Sequence, residues 1–283
     1  MQSKAIIDHI VNWLQDYCEK SRTEGFVIGI SGGIDSALTS TLCAMTGKKV
    51  ILLEMPIYQA ASQVRRAQEH IDWIKGKYPM ASDHRIELTA TFDSFMSAVP
   101  KTEDQHLLHL SLANTRARIR MTTLYYFAGI HRLLVAGTGN KIEDFGVGFF
   151  TKYGDGGVDI SPIADLTKSE VYALAKELGI VQSILKAAPT DGLWGDDRTD
   201  EDQIGASYPE LEWAMALCEK HDYQHQHWLQ RSNGWQLEGH DVIISDRQKK
   251  VLDIYVRMNR ANQHKMQPIP VCTIPPSMKL GMS

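Results

Sequence analysis

Phe26-Val27-Ile28-Gly29-Ile30-Ser31-Gly32-Gly33-Ile34-Asp35-Ser36 decides the fold. Its first five residues are an apolar run rich in β-branched side chains, which reads as a buried strand. Two glycines follow, and then a segment of helical character from about Asp35 to Met45. A strand that passes through a tight glycine turn into a helix opens a βαβ unit. The glycines let the backbone approach a ligand without side-chain obstruction. Successive N–H groups in such a turn form an anion-binding nest. The helix that follows adds its positive N-terminal end. Ser31 and Ser36 supply hydroxyl donors at the same place, so Gly29 to Ser36 suit phosphate or pyrophosphate.

The same alternation extends to both sides. Ile7, Ile10, Val11, Leu14 and Cys18 recur at helical spacing. Lys49 to Leu53 reads as a second strand, and Val64, Ala67, Ile71, Ile74 and Tyr78 mark the next helix. Arg85 to Leu88 is expected to be a third strand, Ser111 to Ile130 a long helix with basic residues, and Leu133 to Ala136 a further buried strand. Thr167-Lys168-Ser169-Glu170 fits a capping box. Val171, Leu174, Ala175 and Leu178 line one face of the helix it starts, and Gly179 stops it. The pattern predicts an α/β fold: a doubly wound, mostly parallel sheet with helices on both faces. Ligands bind such sheets beyond the carboxyl ends of the strands. Chemistry is therefore expected in the loops after Ile30, Leu53 and Ala136.

The 283 residues are 43% hydrophobic and 23% charged, enough for a sizeable core and expected as one domain over residues 1–283. A net charge of -4 weighs against a nucleic-acid binder. No apolar run is long enough to cross a membrane, and the N-terminus lacks the pattern of a signal peptide. Cys18, Cys43, Cys218 and Cys272 lie far apart without CxxC spacing, as expected of thiols in a reducing cytoplasm. Residues 220–248 form a polar stretch rich in His, Gln and Trp, expected as a surface excursion. His221, His225 and His227 read there as metal ligands or as a solvated polar face, with the second favoured.

GxxxxGK[ST] and GxGxxG are both absent, so neither a P-loop nor a dehydrogenase fingerprint is present. The Ser31-Gly32-Gly33-Ile34-Asp35-Ser36 string instead resembles the pyrophosphate loop of the N-type ATP pyrophosphatases. Those enzymes cleave ATP between its α and β phosphates and activate a carbonyl or carboxyl oxygen as an adenylate. Gly137-Thr138-Gly139-Asn140-Lys141-Ile142-Glu143 follows a buried strand, and Phe149-Phe150-Thr151-Lys152-Tyr153-Gly154-Asp155-Gly156-Gly157 comes soon after. Together these strings resemble the ammonia-dependent NAD synthetase family. Asn114 to Met121, Leu166-Thr167-Lys168, Ala188-Pro189-Thr190-Asp191, Asp200 to Gly205 and Gln263-His264-Lys265 extend the likeness in the family's order.

The resemblance implies ATP-dependent amidation of deamido-NAD by ammonia, through an acyl-adenylate, giving NAD, AMP and pyrophosphate. It implies that Gly29, Ile30, Ser31, Gly32, Gly33, Ile34, Asp35 and Ser36 hold ATP with Thr138, Lys168 and Thr190. Asp35 and Glu143 would bind Mg²⁺, and Asp35, Glu143 and Lys168 would carry the chemistry. Arg118, Lys152, Asp159, His264 and Lys265 match positions that contact deamido-NAD. Arg116 and Arg120 are assigned to solvent, Asp159 is a candidate acceptor of the ammonium proton, and His264-Lys265 read as a terminal segment folding over substrate. The family likeness further implies a homodimer. Residues 79–110 and 191–206 read either as lids or as surface loops.

Two departures stand out. The pyrophosphate loop begins at residue 29, which leaves no room before it for the nitrilase-like glutaminase domain of longer members, so free ammonia is the expected nitrogen source. Compact members typically show Asp-His where this chain has Gly139-Asn140, a pair that resembles the glutamine-dependent members. The alternatives are another N-type pyrophosphatase with a different carboxyl or carbonyl substrate, or a nucleotide-binding module without catalysis. A basic surplus or reactive cysteine pair would favour a tRNA-modifying relative, and neither is present. A module without catalysis would need no second carboxylate at Glu143.

Overall fold

A computed structural model describes residues 1–190, 199–221, 227–232 and 234–279. Four parallel strands form the central sheet: β1 (Gly25–Gly29), β2 (Lys49–Glu54), β3 (Ala81–Arg85) and β4 (Leu134–Val135), in the order β3-β2-β1-β4. Ile28 stands opposite Leu52, and Val27 opposite both Ile51 and Val135. β4 is short, but a parallel bridge from Ala136 to Ile160 continues its line. The change of direction between β2 and β4, on either side of β1, places a crevice beyond the carboxyl end of β1, as open α/β sheets require.

Side chains alternate across the sheet and so divide the core in two. Phe26, Ile28, Val50 and Leu52 face one side. There they meet α1 (Ser3–Lys20), α2 (Ile34–Met45), α3 (Ala61–Lys77) and α6 (Lys168–Glu177) through Leu14, Leu38, Ile71 and Leu174. Val27, Ile51, Leu53 and Val135 face the other side. They pack on α4 (Thr89–Ala98) and α5 (Gln105–His131) through Phe92, Phe127 and Ala128. A third cluster joins a π-helical turn at Ile142–Val147 to α9 (Tyr208–His221) and α10 (Asp246–Met266), through Ile142, Leu211 and Tyr255.

The capping box is present: the Glu170 N–H donates to Thr167 Oγ1, and the Thr167 N–H donates to Glu170 Oε2 at 2.9 Å. Gly179 follows this helix at φ 70°, where a glycine stops it without strain. α7 (Gln182–Leu185) and α8 (Asp200–Ile204) are short.

One expectation is corrected. The third strand is Ala81–Arg85, not Arg85–Leu88. It is an edge strand of polar residues, Ala-Ser-Asp-His-Arg, so no apolar run announces it. Ile86 and Leu88 lie past its end and pack beneath α4 and α5 instead. The expected excursion at 220–248 holds an antiparallel sheet of β5 (Trp228–Arg231), β6 (Gly234–Leu237) and β7 (Ile243–Ile244). His221 and His240 stack edge to face there at 5.0 Å, and among the described residues no three His, Cys, Asp or Glu side chains form a metal-holding group. His225 lies outside the described residues. Residues 79–110 include β3, α4 and the start of α5, and 191–198 lie outside the described residues. No described helix is long and apolar enough to cross a membrane.

Phe26→Ala should cost about 3–5 kcal/mol, the range for emptying a fully buried aromatic site. Thr167→Ala should cost about 1 kcal/mol, the value of a lost N-cap. Denaturant unfolding of both variants checks the ordering, and a Phe26→Ala loss no larger than that of Thr167→Ala would contradict this account of the core.

Candidate active site

The crevice at the carboxyl ends of β1, β2 and β4 is lined by the whole turn from Gly29 to Ser36. Thr138, Glu143, Asp155, Lys168 and Thr190 face it from later segments. The turn holds its own shape. Gly33 N–H donates to Ser31 Oγ at 3.1 Å, Ser36 Oγ donates to the Gly33 carbonyl at 3.0 Å, and the two serine hydroxyls lie 3.0 Å apart. Gly32 sits at φ 80°, and a Cβ there would lie 2.5 Å from the Gln63 carbonyl oxygen, so only glycine lets α3 close against the turn. Arg66 of α3 donates to the Gly32 carbonyl at 3.2 Å.

Three ionised side chains meet at the mouth of the turn. Lys168 Nζ lies 2.6 Å from Asp35 Oδ2 and 2.9 Å from Glu143 Oε1. They come from the starts of α6 and α2 and from the π-helical turn. The Lys168 side chain is 4% exposed. Burial works against its charge, but the two carboxylates outweigh this and hold the ammonium above the usual lysine range. Burial also raises the Asp35 carboxyl; Lys168 offsets this only in part, and the charge on Glu143 adds to it. Burial acts on Glu143 in the same sense, yet Lys168 and the Tyr208 hydroxyl outweigh it and hold Glu143 below the usual range. Tyr208 Oη stands 2.5 Å from Glu143 Oε1 and 2.9 Å from Asp200 Oδ2.

All eleven residues assigned to ATP by their sequence line this one crevice. The five assigned to deamido-NAD do not. Four of them gather beside it, where the Phe149–Gly157 loop meets the end of α10. Arg118 donates to the Lys152 carbonyl at 3.3 Å, Lys152 Nζ donates to the His264 carbonyl, and Lys265 Nζ donates to the Gly148 and Phe150 carbonyls at 2.9 Å each. His264 and Lys265 therefore belong to an anchored helix end rather than to a loose tail. Asp159 stands apart. Its carboxylate accepts from the Val135 N–H at 2.8 Å and from the Tyr125 hydroxyl at 3.0 Å, which ties it to the end of β4.

Several residues of the crevice escaped the sequence reading. Arg120, assigned there to solvent, lines the crevice and donates to the Met55 carbonyl at 2.9 Å and to Gln59 Oε1 at 2.8 Å. Arg116 packs over the Phe92 ring at 4.9 Å. Asp155 lines the crevice and is exposed to solvent. Crowding by the crevice walls raises its carboxyl to about 6, against the lowering effect of the Thr151 N–H bond. Its signal was its place in the glycine-dense loop. Asp200 stood in a string shared with the family but was given no role, and Tyr208 carried no local signal, because only the third core cluster brings α9 to Glu143. A Cβ at Gly139 would lie 2.2 Å from the Asp144 carboxylate, so a side chain there would require Asp144 to move.

Fold and crevice together define an α/β nucleotide-binding protein of the N-type ATP pyrophosphatase kind. The NAD synthase family model matches residues 6–265, and the chain belongs to that family. The NH3-dependent NAD(+) synthetase of Carboxydothermus hydrogenoformans is 32% identical over 259 residues, 91% of this chain and 93% of that protein. The enzyme of the same description from Mesoplasma florum is 39% identical over 218 residues, 76% of this chain and 86% of that protein. Among solved structures, NMN synthetase from Francisella tularensis superposes with a TM-score of 0.78 at 29% identity, over 97% of this chain and 100% of that one. The NH3-dependent NAD synthetase from Campylobacter jejuni, in complex with nitrate, gives 0.72 at 26% identity, over 96% and 100%.

Lys168→Met leaves two buried carboxylates facing each other and should cost about 3–5 kcal/mol at neutral pH, the penalty for breaking a buried ion pair. With the lysine gone, proton uptake by Asp35 relieves the repulsion, so the loss should shrink as pH falls. Unfolding of the nucleotide-free protein at neutral and acidic pH tests both points; a loss independent of pH would contradict the ion-triad account.

Proposed function

We propose that the chain makes NAD from deamido-NAD, ATP and ammonia, releasing AMP and pyrophosphate. The observation that carries this is the family match across residues 6–265, joined to a phosphate-binding turn with Asp35, Glu143 and Lys168 at its mouth. The turn's N–H groups and the start of α2 bind the ATP phosphates. Lys168 supplies a compact charge for the pyrophosphate that leaves. Thr138 and Thr190 face the same space.

Asp35 and Glu143 fit Mg²⁺: two carboxylates from different elements already converge on one cation, and Mg²⁺ favours one or two carboxylates beside substrate phosphates. When bound, the ion neutralises charge on the phosphate oxygens. The nicotinate carboxylate attacks the α-phosphorus and pyrophosphate leaves; ammonia then displaces AMP from the acyl-adenylate. The chain's contribution is positioning and electrostatics. Asp155 is the better-placed acceptor for the ammonium proton, because it lines the crevice, whereas Asp159 lies outside it, held by Val135 and Tyr125. Arg118, Lys152 and Lys265, with His264 beside them, offer the wall of donors for the far end of the substrate. A homodimer in the cytoplasm completes this reading; Leu107, Leu110, Tyr126 and Ile130 of α5 are exposed and give an apolar surface for a second copy.

A second reading concerns substrate length. The likeness to an NMN synthetase over nearly the whole of both chains favours nicotinate mononucleotide as a substrate amidated by the same chemistry. Purified protein with ATP, Mg²⁺ and ammonium chloride or glutamine should be given deamido-NAD or nicotinate mononucleotide, with amide product and AMP quantified. Stoichiometric NAD and AMP with ammonium support the first reading. A higher kcat/KM for the mononucleotide would replace it with the second. No amide from either would send the search to another carboxyl substrate.

Glu143→Ala should abolish turnover in the same assay. At constant free ammonia, turnover should fall as pH drops through about 6, where Asp155 takes up a proton. Asp155→Asn should lower turnover by about 10²–10⁴-fold, the range for a lost general base, and remove that acid limb. An unchanged limb in the variant would exclude Asp155 from this role.

A further inference from the structure

Asn140 is fully buried, and its one side-chain amide is divided between two structural elements. Its Nδ2 donates to Asp35 Oδ1 at 3.0 Å. Its Oδ1 accepts from the Ile142 and Glu143 N–H groups, each at 3.1 Å, and so caps the turn that carries Glu143. Lys168 holds the other Asp35 oxygen. We propose that Asn140 is a positioning residue for the Mg²⁺ site, which locks Asp35 and the Glu143 turn into one rigid pair of carboxylates; this rests on the metal assignment above.

The chemistry of the group suits the task. A neutral amide can hold a carboxylate oxygen without bringing a charge of its own. Lys168 fixes both carboxylates too, but its ammonium competes for the same negative charge that a metal needs. Asn140 is independent of that competition, since it acts on Asp35 Oδ1 and on backbone N–H groups. Losing an outer partner that orients a metal ligand typically costs about 10–100-fold in metal affinity. Serine caps N–H groups well but is too short to reach Asp35. Aspartate keeps the cap and the shape but presents an oxygen to Asp35 where the amide presents a donor.

The test compares Asn140→Ser, Asn140→Asp and Asp35→Asn with the wild type. Mn²⁺ is titrated into each protein with a non-hydrolysable ATP analogue and followed by electron paramagnetic resonance. Circular dichroism reports the fold, and steady-state assays give apparent KM values for Mg²⁺ and for deamido-NAD. Both Asn140 variants should remain folded, bind Mn²⁺ about tenfold or more weakly, and show a matching rise in the KM for Mg²⁺ without a parallel rise in that for deamido-NAD. Wild-type Mn²⁺ affinity in either folded variant would overturn the proposal, as would equal rises in both KM values. If Asp35→Asn weakens Mn²⁺ binding and the Asn140 variants do not, Asn140 alone is excluded. If Asp35→Asn leaves Mn²⁺ binding intact, the metal assignment fails and this proposal fails with it.

Discussion

A single buried ammonium organises the crevice. Lys168 is the first residue of α6, a position where the helix dipole disfavours a cation. It is kept there by Asp35 and Glu143, which sit at the starts of two other segments. The dipole, the burial of all three side chains and the repulsion between the carboxylates each oppose the arrangement separately. The attraction of the ammonium to both carboxylates opposes these costs, and the short contacts to each make that attraction strong. The capping box at Thr167 matters for the same reason: it fixes the first turn of α6 and therefore the height of Lys168 over the crevice.

That triad ties the nucleotide turn after β1 to the segment after β4, and so joins the two sides of the crevice. The sheet alone would leave them related only by strand register. Glu143 extends the link to α9 through Tyr208 and Asp200, which makes the third hydrophobic cluster part of the site's support. A substrate phosphate or metal entering here meets charges whose positions are already set. Preorganisation of this kind is the largest contribution a protein can make to a reaction in which substrates supply both nucleophile and leaving group.

Much of this was legible in the chain. Phe26 to Ser36 could be read locally, because a buried strand, a glycine turn and a helix start each leave a short-range pattern. Asp35, Glu143 and Lys168 were recognisable as members of separate motifs, but their common meeting point is a tertiary fact. β3 was misplaced because an edge strand of polar residues carries no hydrophobic period, while the apolar residues after it belong to a helix-facing layer. The strands Trp228–Arg231, Gly234–Leu237 and Ile243–Ile244 are too short for any one of them to show alternation.

The arginines of α5 show where local geometry stops being sufficient. Arg116 and Arg120, four residues apart, share one face of this helix and Arg118 lies on another; family likeness selected Arg118 and left the other two to solvent. The structure puts Arg118 against the Lys152 carbonyl and Arg120 in the crevice against Met55 and Gln59. Both placements follow from one rotation of the helix about its axis, which is set by Phe127 and Ala128 packing beneath the sheet about two turns further on. Once that face is fixed, Arg120 must face the end of β2 and Arg118 the glycine-dense loop. The helix thereby serves two surfaces, one in the crevice and one against the glycine-dense loop, and the apolar packing of its far end decides which arginine goes to which.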